Sequence, residues 1–269
     1  MTDDKLPATV ANNRKIISHK TPIYTMKTRF FEIDALRGIA IILMVFYHIL
    51  YDLYYFTGLD INLWSGPLWL IGRVSAAIFI FLVGISLTIS FSRIKTRLPQ
   101  KDILNKYFSR GLKIFCWGLL ITAMTHIFLD EGTIYFGILH FIGLSIILAY
   151  PFLKLKRANL ILGAGIIMLG TYLKGFTFNT PHLLFLGIRP ESFYTLDYFP
   201  IFPWFGVVLF GIFLGNTLYQ DGKRMFHIPN LKRQSGPLCI LGRNSLLIYL
   251  LHQPILIAII CLLTGSIPA

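Results

Sequence analysis

Charge is what this sequence has least of. Only 14% of its 269 residues are Asp, Glu, Lys or Arg, against about a quarter in a soluble globular domain. Acids are the scarcest, 12 against 25 Lys and Arg, which leaves a formal charge of +13. So little charge, with a mean hydropathy of +0.66, excludes an ordinary water-soluble fold. Cysteine is thin as well. Cys116, Cys239 and Cys261 all fall inside apolar runs, so they are expected to be small apolar fillers and not a disulfide framework. The sequence has no GxSxG, no P-loop and no HExxH. Those absences remove the usual signatures of serine hydrolases, P-loop enzymes and zinc proteases, and no metal is predicted.

What is present is a series of apolar stretches, most of them about 20 residues long and therefore able to cross a bilayer. Seven spans are predicted, at about 30–56, 67–92, 107–129, 133–152, 158–174, 199–219 and 238–262. The fold class is all-α, a polytopic transmembrane helical bundle. The net positive charge would suit nucleic acid, but its placement does not. With the N-terminus in the cytoplasm, 20 of the 25 basic residues fall in the tail and in the loops on the inner side, as the positive-inside rule requires. Membrane lipid is thus the expected partner, with no role for nucleic acid and with homo-oligomerisation left open.

Residues 1–28 read as a flexible basic cytoplasmic tail, and residues 29–265 as one membrane domain. No cleavable signal is expected ahead of the first apolar run. Two connections are longer than the rest, the basic inner stretch 220–237 and the aromatic outer stretch 175–198. The outer one is too short and too interrupted to span, and is expected to pack as a lid or re-entrant cap. No internal repeat is visible, nor the paired broken helices of an inverted-repeat transporter.

The first span carries polar groups that hydrocarbon makes costly. Arg37 and His48 are eleven residues apart, close to three full helical turns, so they share a face roughly 16 Å apart along the axis. Asp34 lies one turn before Arg37, and Asp52 one turn after His48. The four make one stripe, which must face the bundle interior. His48, near mid-membrane, is the candidate general base. Asp52 is the carboxylate placed to orient its imidazole. Arg37, with Glu32 and Asp34, either anchors the helix by local ion pairs or receives an anionic ligand from the cytoplasm. Arg110 and Lys113, with Arg93 and Lys95, add cationic groups on the same side. Arg73, His140, Asp197, Trp204 and His252 are candidate substrate-binding residues toward the outer half. Tyr194, Tyr198, Phe199 and Trp204 could stack on sugar faces or serve as an interfacial aromatic belt.

The stretch RFFEIDALRGIAIILMVFYHILYDL, residues 29–53, resembles the first helix of the heparan-α-glucosaminide N-acetyltransferase-like membrane proteins. Its Arg37 and His48 also match the Arg, ten residues, His signature of the broader transmembrane acyltransferases that O-acetylate bacterial surface sugars. AAIFIFLVGISL, DYFPIFPWFGVVLFGIFLG and LGRNSLLIYLLHQPIL, at 76–87, 197–215 and 241–256, agree in order. The resemblance implies transfer of an acyl group, commonly acetyl, from cytoplasmic acetyl-CoA to an extracytoplasmic sugar or glycan. It also implies a bacterial inner membrane as the location. One departure matters: the sulfated-glycan enzymes carry their catalytic histidine in an outer loop, and this chain has none between Asp52 and Pro67. The assignment of His48 therefore rests on the surface-sugar pattern. The alternative is a proton-coupled transporter or flippase, in which His48 and Asp52 would relay protons.

Overall fold

The computed structural model describes residues 29–129, 131–178, 181–229 and 235–264. The tail expected over 1–28 lies outside them. Among the described residues eight α-helices follow in order: α1 Phe31–Thr57, α2 Gly66–Ile94, α3 Gln100–Phe128, α4 Ile138–Leu148, α5 Ala158–Leu173, α6 Ile201–Leu218, α7 Gly236–Arg243 and α8 Ser245–Thr264. Among the described residues there is no strand, only the isolated bridges Phe136–Tyr198 and Thr177–Arg189. The chain is an all-α membrane bundle.

Helix starts follow local chemistry. Glu32 and Asp34 occupy the first turn of α1, where carboxylates complement the helix dipole. Prolines stand just before α3 and α6 and in the first turns of α2 and α7, where the missing N–H costs nothing. Five of the described helices, α1, α2, α3, α6 and α8, are long and apolar enough to cross a membrane.

Two predicted spans differ from the helices observed. Stretch 133–152 is α-helical only over the 11 residues of α4, roughly 16 Å of rise against a hydrocarbon core of about 30 Å. A 3₁₀ turn at Pro151–Lys154 follows it. Stretch 238–262 divides into α7 and α8 at Asn244, whose side-chain amide donates to the Ile240 carbonyl at 2.9 Å. A side chain that bonds its own backbone competes with helix continuation.

Helix pairs meet through glycine on both sides. In α1 and α7, a Cβ on Gly38 would strike the Leu238 carbonyl, and one on Gly242 the Asp34 carbonyl. Gly84 and Gly211 do the same where α2 crosses α6, against the Val208 and Phe81 carbonyls. Gly111 meets Gly143 between α3 and α4, and Gly163 meets Gly206 between α5 and α6. Lipid tails are as apolar as leucine, so helices in a membrane gain little from merely hiding apolar surface from one another. Close backbone approach at small residues supplies the packing instead. Around the α2–α6 crossing, Ile80, Leu87, Phe141, Ile146, Val208, Leu209 and Ile212 form the buried core. Thr88 adds hydrogen bonds to the Gly84 and Ile212 carbonyls.

The aromatic stretch 175–198 is tied to the connection between α3 and α4. Leu196 N donates to Gly132 O, Thr195 Oγ1 to Thr133 O, and Phe199 N to Phe136 O. Within the stretch, Tyr198 donates its hydroxyl to Leu184 O.

Gly84→Leu should force α2 and α6 apart. The expected result is loss of the monodisperse species on size-exclusion chromatography in detergent, because overpacking at a backbone contact cannot relax by a rotamer change. Gly165→Leu, at an α5 glycine with open space beside it, should leave the elution profile unchanged.

Candidate active site

The polar stripe of α1 meets different helices at its two ends. At the Arg37 end every acid is answered. Asp34, buried, takes Arg243 Nε at 3.1 Å and Arg37 at 3.6 Å. Arg37 also donates to Ser86 Oγ on α2. Glu32 is held by both arms of Arg224 at 2.8 Å and by the Tyr219 hydroxyl at 3.1 Å. Arg37 is therefore engaged in a clasp joining α1, α2 and α7. Arg110 and Lys113 are exposed on α3, whose packing partner is α4. The structure does not bring them onto Arg37.

At the His48 end the stripe meets α8. The His48 and His252 rings lie edge to face, 4.7 Å between centroids. His48 Nδ1 is 2.8 Å from the Met44 carbonyl, and His252 Nδ1 is 2.6 Å from the Tyr249 carbonyl. A carbonyl can only accept, so each Nδ1 carries the proton and each Nε2 presents a lone pair. His48 thus has the tautomer a general base needs.

Asp52 is not what sets that tautomer. It is 1% exposed and takes Gln253 Nε2 of α8 at 2.6 Å. Helical side chains lean toward their own N-terminus. The His48 ring therefore lies over the turn of Met44, and the Met44 carbonyl does the orienting expected of Asp52. Asp52 instead pins α8 to α1 one turn beyond the two imidazoles. Gln253 was legible only as a neighbour of Pro254, which lies inside α8. Its pairing with a residue about 200 positions away could not be read from spacing. The triplet Tyr249, His252 and Gln253, at three- and four-residue intervals, was the available signal for a shared face.

The remaining candidates gather on the far side of Tyr249. His140, 2% exposed, accepts from Gly137 N–H at Nδ1 and reaches Thr122 Oγ1 through Nε2, both at 3.3 Å. Both nitrogens are satisfied, and the ring acts as a brace between α3 and α4. Asp197 Oδ2 accepts the Ile138 N–H at 2.9 Å, capping α4. Burial pushes the Asp197 carboxyl up to about 6, against the opposing pull of the Ile138 N–H and Arg73. His140, Asp197 and Tyr249, with Gly118, Ile121 and Leu139, line a small cavity of about 10 Å³. The Tyr249 ring also lies 5.5 Å from His252, so it stands between this cavity and the imidazole pair. Arg73 is exposed, with its guanidinium 5.5 Å from the Trp69 ring. Trp204 is half-buried against Phe199, 5.0 Å between centroids. The structure leaves both outside the contacts of the imidazole pair. Among the described residues no cluster of His, Cys, Asp and Glu could hold a metal ion.

A membrane-embedded imidazole with its tautomer fixed, on a helix bearing an arginine at the other end, defines a candidate acyl-transfer site. Family comparison gives the same class, the transmembrane acyltransferases. Residues 29–254 match the family model of heparan-alpha-glucosaminide N-acetyltransferase, catalytic, and the chain belongs to that family. The match takes in α1 and the first half of α8, hence both imidazoles. No curated protein and no solved structure gives a match.

Gln253→Leu should lower stability by about 1–3 kcal/mol, the cost of leaving a buried acceptor bare. Adding Asp52→Leu should recover part of the loss, since removing both partners is cheaper than removing one. Thermal unfolding of the detergent-solubilised single and double variants checks both.

Proposed function

We propose that this protein is an integral-membrane acetyltransferase moving an acetyl group from cytoplasmic acetyl-CoA to an extracytoplasmic sugar or glycan. The observation that carries the reading is the His48 imidazole, held by Met44 through Nδ1 so that Nε2 presents the lone pair inside a membrane helix. A half-buried imidazole poised in this way suits proton abstraction. Family membership supplies the reaction class.

On this reading the basic groups near Arg93, Lys95, Lys154, Lys156 and Arg157 mark the cytoplasmic side, by the positive-inside rule. Arg37 then faces the donor, with Arg110 and Lys113 as outlying cationic groups that attract its phosphates. Acetyl-CoA is a co-substrate here, and no metal takes part in the proposed step. His140, Asp197, Arg73, Trp204 and His252 belong to the acceptor side. His48 Nε2 removes the proton from the acceptor hydroxyl or amine as its lone pair attacks the thioester carbonyl. The C–S bond breaks, and His48 returns the proton to the leaving thiolate. A bacterial inner membrane fits this arrangement.

The test is acetyl-CoA turnover by the full-length protein in liposomes. Protein-dependent CoA release should fall by roughly 100-fold or more in His48→Ala, the scale of a lost general base. Unchanged release from a correctly folded His48→Ala variant would overturn the assignment. Proton-coupled solute uptake without acetyl transfer would replace the enzyme reading with the transporter.

A further inference from the structure

The proposed acetyl-transfer step uses one imidazole of a pair. His252 is 9% exposed, and its Nε2 is buried without a hydrogen-bond partner among the described residues. Such atoms are rare in folded proteins, because a bare buried acceptor carries a desolvation cost. The ring that carries it lies edge to face with the His48 ring, 4.7 Å between centroids. Packing by chance is a poor account of the pair, since two separate features hold it. The Tyr249 carbonyl fixes the His252 tautomer at 2.6 Å, and the Asp52–Gln253 bond, also 2.6 Å, fixes the register of α8 on α1.

The chemistry supplies a reason for the bare atom. When His48 takes the acceptor's proton it becomes an imidazolium inside a membrane helix, where an unshared charge is expensive. Asp52 gives Oδ1 to Gln253, and among the described residues neither of its oxygens bonds His48. Met44 already occupies the His48 Nδ1–H. A neutral histidine with a free lone pair, in ring contact, is the group on hand to take up part of that charge.

We propose that His252 is the positioning and charge-sharing partner of His48, its Nε2 accepting from the imidazolium formed during acetyl transfer. The inference rests on the reading of His48 as the base. The step balances on the two rings. The acceptor's O–H or N–H bond breaks and its proton passes to His48 Nε2. While the tetrahedral intermediate lasts, the pair holds that single proton. The C–S bond then breaks with its electrons going to sulfur, and the proton passes to the thiolate. His252 ends the cycle neutral, with its Nδ1 proton never exchanged. It thus acts through His48 and not on the substrate directly.

Two near-isosteres separate the nitrogens. A glutamine amide reaches the position of Nε2, and an asparagine amide the position of Nδ1. If His252 serves through Nε2, His252→Gln should keep kcat within about 5-fold. His252→Asn and His252→Phe should each lose roughly 10- to 100-fold in kcat, the value of a charge-assisted hydrogen bond. KM for acetyl-CoA should stay within about 2-fold in all three, as for an interaction made only in the transition state. The assay is CoA release by the full-length protein in liposomes, with thermal unfolding run alongside. Where the Phe variant fails to fold, the Gln and Asn pair carries the test. Activity retained in Asn and lost in Gln would overturn the proposal, since it would show that His252 matters only for its bond to Tyr249. Equal activity in all three variants, high or low, would overturn it too. If His48→Ala itself still releases CoA, the functional reading fails. If His48→Ala is silent and the Gln–Asn split is absent, only the charge-sharing role fails.

Discussion

The architecture depends on how closely its helices can approach. In water a helix is driven onto its neighbour by the apolar face it hides, but in hydrocarbon that drive is absent. This chain compensates at four crossings, α1 with α7, α2 with α6, α3 with α4 and α5 with α6, each built on a glycine from either helix. Removing the side chains brings backbone carbonyls into contact and lets dispersion act over short distances. The site inherits this constraint. α7 is drawn onto α1 at Gly38 and Gly242, and α8 leaves α7 only two residues later, at Asn244. The register that sets His252 against His48 therefore starts from a glycine contact some three turns away.

Polar pairs then select among the arrangements that close packing allows. Glu32 with Arg224, Asp34 with Arg243, and Asp52 with Gln253 each join α1 to chain about 200 residues later. A buried charged or amide partner left alone costs more than the pair yields. These pairs accordingly penalise wrong registers more than they stabilise the right one. α1 is the shared member of all three, the helix against which the C-terminal third of the chain is aligned.

Much of this was legible in the sequence, and the limits have physical causes. Hydropathy located the helices because burial in lipid demands long apolar runs. It overstated the 133–152 stretch, where composition is apolar enough but Gly137 and Pro151 confine the α-helix to α4. It merged α7 with α8, because a break made by one asparagine amide leaves no mark on average hydropathy. The stripe of Arg37, His48 and Asp52 was legible because it is local, a matter of turns along one helix. The partners were not. Which carbonyl holds His48, and which amide holds Asp52, depends on side-chain lean and on tertiary register. Twenty-two glycines show that close crossings exist without showing which glycine faces which.

The two ends of α1 carry the same kinds of residue and have opposite outcomes. At the Arg37 end, acids and bases close on one another, and the tyrosine and serine nearby complete the set. There each acid has a basic partner, so exchanging one costs stability. At the His48 end, hydrogen bonding stops short. Asp52 Oδ2, Gln253 Oε1 and His252 Nε2 are all buried without a partner among the described residues. Ser145, Asn159 and Asn216 also bury an unpartnered polar atom, but on separate helices, whereas these three gather where α1 meets α8. Apolar side chains of the same size would pack there at lower cost. A site that must receive a proton, hold it briefly and give it back does require such capacity. Bare acceptors beside a base are costly in the resting protein and useful in the charged intermediate. That difference, more than the presence of a histidine in a membrane helix, distinguishes the proposed chemical end of α1 from the Arg37 end.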